Sequence, residues 1–250
     1  KSLDTEKRFM LVAYNTGENL DEEIRVLSHA VELNVCGIIF FSNNFKVELL
    51  NELTKTKIPT VVNYYESCGF DSVHGIKNRS SYIATKHLID FGHKSIGFVG
   101  GSKNSVVEQS RLNGFITAIK EFNIPYEQDY IVEGEFTIDA GKQAGKHYIT
   151  LDKMPTAICC ANDMIALGLI TYLNEAGIKI PEQVSIVGID NIIYGEASSP
   201  PLTSVTSDPD LFAENALLML LSRINNDYAG DPRSICIEHN LIIRKSTKKL

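Results

Sequence analysis

Tryptophan is absent, cysteine and methionine are scarce at five and four residues, and no apolar run approaches the roughly 18 residues that a membrane span needs. A membrane-spanning chain is therefore not expected. The cysteines are odd in number and lack framework spacing, which argues against a disulfide scaffold and for a reducing compartment, the cytoplasm. No C-x-x-C pair or Cys/His spacing marks a metal site, and the six histidines are scattered. Cys159 and Cys160 are adjacent in one apolar run, so they point to opposite faces as packing residues. No basic cluster occurs, and the formal net charge of −7 makes the chain a poor nucleic-acid binder by itself. There is no G-x-G-x-x-G after a strand, no Walker loop and no G-x-S-x-G elbow, so no catalytic residue and no cofactor is assigned. The opening run KSLDTEKRF has no apolar signal core.

What is present is an ordinary globular composition, 44% hydrophobic and 22% charged over 250 residues, enough for one or two domains. The chain is organised around Met154–Val205. Two apolar runs, Thr156–Cys160 and Val184–Val187, bracket the helical run Met164–Gly177, which is a βαβ unit with parallel strands. Asn162 and Asp163 follow the first strand, and Asp190 and Asn191 the second. Ligands bind at the carboxyl ends of such strands, so two polar pairs can face one small molecule.

The same alternation covers the rest. Lys7–Tyr14 reads as a buried strand, Leu20–Leu33 as an amphipathic helix, Gly37–Phe41 as a strand, Val47–Lys55 as a helix and Ile58–Asn63 as a strand. Tyr64–Gly75 is a loop or short strand. Helix Asn78–Phe91 and strand Ser95–Val99 follow, ending at Gly100-Gly101. Then come helix Ser110–Phe122, strand Ile131–Glu135, helix Ala140–Thr150, the central unit and helix Asp208–Asn225. Ile235–Ile237 and Asn240–Arg244 read as a closing hairpin, and KSTKKL as a frayed tail. The expected class is α/β, with two doubly wound parallel-sheet lobes.

The runs FVGGSKNSVVEQSRLNGFITAIKEFNI, YIVEGEFTIDAGKQA, PTAICCANDMIALGLITYLNEAGIKIPEQVSIVGIDN, SPPLTSV and LIIRKST, in that order, resemble the LacI/GalR family of bacterial transcription regulators. The likeness is strongest from Tyr82 to Val205. It implies a core like the periplasmic sugar-binding proteins: two lobes, three crossings between them, and a small-molecule effector, a sugar or sugar phosphate, in the cleft. The crossings then fall near Gly101, Ser207 and Ile235, giving one lobe of residues 1–101 with 208–235 and another of 102–207 with 236–250. The resemblance also implies a homodimer, with Leu167 and Tyr194 at contact positions, and operator DNA bound through an N-terminal domain not in this chain. The family core's first strand and helix are missing too, with Lys1–Glu6 as a remnant, so a portion of a longer protein with unpaired strand edges and exposed apolar surface is expected. A free-standing sugar-binding protein of a transport system is the alternative.

Arg111 lies early in its helix and can bind hydroxyls, a carboxylate or a phosphate in a fork, or else be solvated. The family's R-L-x-G-F match favours the effector. Asp190 can accept from ligand hydroxyls or from Arg111, or serve as a turn residue. Asn162 is assigned to ligand, and Asp163 to capping the following helix. Phe136 offers an aromatic face to a sugar ring or base, against plain core packing. Ser42 and Asn43, after GIIFF, are further candidates, with loop polarity as the alternative. Val107 stands where relatives often have a polar contact, and Lys77, where the family often has a carboxylate, would suit an anionic effector.

Overall fold

The computed structural model describes residues 9–17, 19–41, 47–63, 69–102 and 105–250. Helix α1 (Leu20–Glu32) starts where Asn19 accepts the Glu22 N–H at 3.1 Å, with three acidic residues in its first turn. Strands β1 (Ile38–Phe40), β2 (Thr60–Val62) and β3 (Asp71–Gly75) pair in parallel, with helix α2 (Val47–Thr56) between the first two. The sheet's fourth strand comes from far along the chain: β9 (Ser234–Ile237) runs parallel to β3. Helix α8 (Pro209–Ile224) buries Ala216, Met219 and Leu220 against Val61, Val73 and Ile237. Leu27, Leu49 and Leu53 pack with Val62 in a separate cluster.

A second sheet holds β4 (Ile96–Val99), β5 (Ile131–Val132), β6 (Ala157–Cys160), β7 (Ser185–Ile189), β8 (Thr203–Thr206) and β10 (Asn240–Ile242), in the order β10-β8-β7-β6-β4-β5. Only β10 is antiparallel. Helices α3 (Arg79–Asp90), α4 (Val106–Glu121), α5 (Ile138–Ile149) and α6 (Asp163–Glu175) flank it, and a short α7 (Ile193–Glu196) follows β7. Every residue of β4, β6, β7 and β8 is buried, the state of parallel strands covered on both faces. Cys159 and Cys160 are both fully buried there. Helices α5 and α6 approach through glycine: a Cβ on Gly168 would strike the Ile138 carbonyl, and one on Gly141 the Ile165 carbonyl.

Several expectations are corrected. The first passage between sheets is not at Gly101. Strand β4 hydrogen-bonds to β5 and β6, and α3 packs on β6, β7 and β8, so the chain leaves the first sheet at Gly75 and enters the second lobe at Asn78. Residues 76–101 thus belong with the second sheet. In Tyr64–Gly75 the short-strand alternative holds: β3 is flanked on both sides, and its apolar signal is only Val73, because buried Asp71 and Ser72 are held by hydrogen bonds instead. The closing hairpin does not exist, since β9 pairs with β3 and β10 with β8. The tail is not frayed: Ser246 and Thr247 are buried, Ser246 Oγ donates to Ile186 O at 2.6 Å, and Leu250 N donates to Phe91 O at 2.9 Å. Helix α4 begins at Val106, because Ser105 caps the Glu108 N–H. Residues 9–14 join no sheet. Met10 and Leu11 are 89% and 90% exposed, because an apolar segment becomes a strand only where a neighbour's free edge meets it. The part of that stretch before residue 9, and the expected helix remnant Lys1–Glu6, lie outside the described residues.

Candidate functional site

The carboxyl ends of β4, β6 and β7 lie side by side, and the residues just past them are Gly100-Gly101, Ala161-Asn162 and Asp190-Asn191. Arg111, on the second turn of α4, reaches across this edge. Its Nη1 donates to Ala161 O at 2.5 Å and its Nη2 to Asp190 Oδ1 at 2.6 Å. The Phe136 ring stands 5.6 Å from the guanidinium carbon. Arg111, Asp190 and Phe136 are thus brought into one cluster, with the Arg111–Asp190 bond expected from sequence.

Asp190 and Asn191 both adopt positive φ, 105° and 53°. That conformation is costly for a non-glycine residue and persists where surroundings over-determine it. Here the Asp190 N–H donates to Val205 O at 2.8 Å, the Asn191 N–H donates to Ser204 Oγ at 3.0 Å, and Asn191 Oδ1 accepts from Arg244 at 2.8 Å. Burial pushes the Asp190 carboxyl above its ordinary value, with Arg111 opposing.

The cap expected of Asp163 is made by Asn162 instead. Asn162 is the N-cap of α6: its Oδ1 accepts the Ile165 N–H at 2.9 Å. Asp163 is structural, but not as a cap. Its Oδ1 accepts from Ser204 at 2.7 Å and its Oδ2 from the Ile192 N–H at 2.8 Å, so it ties α6 to the loop that carries Asp190. Burial raises its carboxyl to about 6, against the pull of those bonds. Asn162 reaches the Phe136 carbonyl at a long 3.5 Å, so its amide still faces the rim of the site.

Two residues here were not foreseen. Glu108 is buried and its Oε2 accepts the Gly101 N–H at 2.6 Å; burial raises its carboxyl. The Ser105-x-x-Glu108 spacing is a capping-box signal that would have singled it out, although here the carboxylate reaches back to Gly101. His239 lies between β9 and β10, against Gly75. Nothing in its local sequence marks it.

Ser42 and Asn43 lie outside the described residues. Val107 is half-buried on the first turn of α4, and Lys77 is exposed in the passage from β3 to α3. Leu167 is half-buried on α6, and Tyr194 is 68% exposed on α7 beside Ile193 at 78%. Cys159 and Cys160 are poor nucleophiles: burial pushes the Cys159 thiol up to about 12 and raises the Cys160 thiol as well. Among the described residues, no three His, Cys, Asp or Glu side chains are grouped to hold a metal, and no helix is long and apolar enough to cross a membrane.

A cavity of about 470 Å³ opens at the other end of the first sheet, by the starts of β2 and β3. Its floor is Asp71, fully buried and held by Arg223 at 2.8 Å and Arg233 at 2.5 Å, with Tyr228 under both guanidinium groups. Burial works against ionising Asp71, yet the arginine bonds outweigh it and bring the carboxyl to about 2. With its oxygens taken, this cluster holds the lobe together.

Comparison with known proteins agrees with this architecture. A family model described as a periplasmic binding protein-like domain matches residues 85–247. The HTH-type transcriptional repressor PurR of Actinobacillus pleuropneumoniae is 33% identical over 245 residues, spanning 97% of this chain and 72% of that one. A LacI family transcriptional regulator from Enterococcus faecium, solved with bound ribose, superposes with a TM-score of 0.78 at 28% identity, covering 91% of this chain and 85% of that one. A CelR–cellobiose complex superposes with a TM-score of 0.78 at 25% identity, covering 91% and 71%.

Proposed function

The chain belongs to the LacI/GalR family of transcription regulators, and from that premise we propose that it binds a sugar or sugar-derived effector, neutral or phosphorylated, in the cleft between its lobes, and so controls DNA binding. The observation that carries this reading is the Arg111–Asp190 pair, 2.6 Å apart at the carboxyl edge of the second sheet with Phe136 beside it. A guanidinium and a carboxylate supply the donors and acceptors that hydroxyl groups need, and an aromatic ring packs on a sugar or base. Asn162 borders the same edge. The E. faecium and CelR structures hold ribose and cellobiose, which supports a sugar.

The mechanism is a population shift. Three chain passages join the lobes, so the lobes can pivot, and an effector favours one arrangement by its differential affinity. In a homodimer contacting through both lobes, Leu167 and Tyr194 included, that pivot resets the spacing of two DNA-binding heads supplied by an N-terminal domain. The protein performs no chemistry on its ligand in this reading and works in the cytoplasm. A transport binding protein is the weaker reading, because the curated relatives are repressors.

A thermal-shift screen against D-ribose, cellobiose, D-glucose 6-phosphate and guanine tests the proposal. Binding to the native state at a hundredfold excess over Kd adds about 2.7 kcal/mol, which is readily seen. A shift abolished by both Arg111→Ala and Asp190→Ala is expected. A shift that survives both substitutions would place the ligand elsewhere.

A further inference from the structure

We propose that His239 is part of the effector site, presenting an imidazole nitrogen to a ligand hydroxyl from the junction of the two lobes. The proposal rests on the cleft reading above and adds a residue to it.

Three passages meet at that junction. Gly75 ends β3 and pairs with Ile237, Thr206 ends β8 and pairs with Asn240, and residues 238–239 carry the chain from β9 to β10. The His239 ring is laid against Gly75. A Cβ on Gly75 would stand 2.8 Å from His239 Cε1 and 3.2 Å from Nε2, so the missing side chain there is what admits the ring. Its Nδ1 is sealed from solvent and has no hydrogen-bond partner among the described residues. Buried polar atoms are almost always paired, so an orphan in a ligand-binding region points to a partner that arrives with the ligand. The other orphaned side-chain oxygens are away from the junction: Thr85 lies in the middle of α3, and Ser95 precedes β4 at the end of the sheet remote from the cleft.

The ring lies at the carboxyl ends of β3 and β9, where Gly75 pairs with Ile237. Arg111, which grips Asp190, is close enough to act on His239, as is Arg79 on the first turn of α3. Burial and these two charges lower the imidazole's pKa, so the ring is neutral at neutral pH, with one nitrogen a donor and the other an acceptor. A hydroxyl can pair with either. Since His239 lies on the passage that must flex when the lobes pivot, a bond from it to the ligand would couple occupancy to the pivot directly.

The test uses whichever of D-ribose, cellobiose, D-glucose 6-phosphate and guanine gives the largest thermal shift, with affinity measured by calorimetry. His239→Leu should weaken binding by about three- to tenfold, the worth of one hydrogen bond, without lowering the melting temperature of the unliganded protein. His239→Asn, whose amide occupies the place of Nδ1, should recover most of the loss. Gly75→Ala, which displaces the ring without removing it, should weaken binding as His239→Leu does. Unchanged affinity in His239→Leu, or equal losses in the Leu and Asn variants, would overturn the proposal. If binding is lost in Arg111→Ala but intact in His239→Leu, the cleft reading stands and His239 falls. If no probe shifts the wild type, both fall together.

Discussion

Arg111 Nη2 lies 2.6 Å from Asp190 Oδ1, joining α4 to the end of β7 across 79 residues of sequence. The same guanidinium is held by the Ala161 carbonyl at the end of β6. The pair is therefore set before any ligand arrives, and its side chains are 17% and 40% exposed, open enough to be reached. Asp190→Asn keeps the shape and removes the charge. It should weaken effector binding by about tenfold or more, while changing stability by less than about 1 kcal/mol, the worth of a partly exposed pair. Calorimetric titration beside chemical denaturation separates the two effects.

Asp71 is the opposite case, a carboxylate with no exposure and two arginines. Removing the carboxylate leaves two guanidinium groups, 21% and 29% exposed, without their counter-charge. Asp71→Ala should cost about 3–5 kcal/mol in urea denaturation. In the wild type, a carboxyl lowered from 3.8 to about 2 contributes stability that is complete above pH 3.8 and lost as pH falls toward 2.

His87 gives an earlier acid step. Its ring is buried, its Nε2 lies 3.0 Å from Thr247 Oγ1, and burial lowers it from 6.5 to about 4. The unfolded chain takes up its proton first as pH falls. Stability is therefore full above pH 6.5 and lost between 6.5 and 4, by roughly 3 kcal/mol at most. A His87→Gln variant should show a flatter stability profile in that window. An identical profile would remove His87 as its source.

Gly168→Ala should be among the most damaging single-methyl additions. The new Cβ would meet the Ile138 carbonyl, backbone that cannot rotate away. Overpacking of this kind costs about 1–3 kcal/mol or more. By contrast, Gly177→Asn, at φ 78° with open space around it, should cost little. Thermal denaturation of the two variants provides the comparison.

The second lobe was largely legible in the sequence because its strands are continuous apolar runs, such as Ala157–Cys160 and Ser185–Ile189, separated by capped helices. Arg111 and Phe136 were legible through their match to the family's effector positions, and Asp190 through its place at the end of the Ser185–Ile189 strand as well. The first passage was not, because β3 spends two of its five positions on buried Asp71 and Ser72 and carries little apolar signal. The β9–β10 pair misled for another reason. Two short strands separated by two residues read as a hairpin, and only the sheets show that each pairs elsewhere. Asn162 and Asp163 are both capping residues by type, and which of them caps is settled by backbone angles that composition does not encode.

The central claim is that an effector between the lobes changes how they sit. The most direct measurement is a pulsed electron spin distance between labels at Lys55 on the first lobe and Lys146 on the second, with Cys36, Cys68 and Cys236 replaced by serine. Cys159 and Cys160 are buried with raised thiol pKa values, so they stay unlabelled. Saturation with the best-binding probe should move the distance distribution to a new maximum in the wild type and leave it unmoved in Arg111→Ala. A probe that binds tightly, loses affinity in Arg111→Ala, and yet leaves the wild-type distribution unchanged would contradict the account.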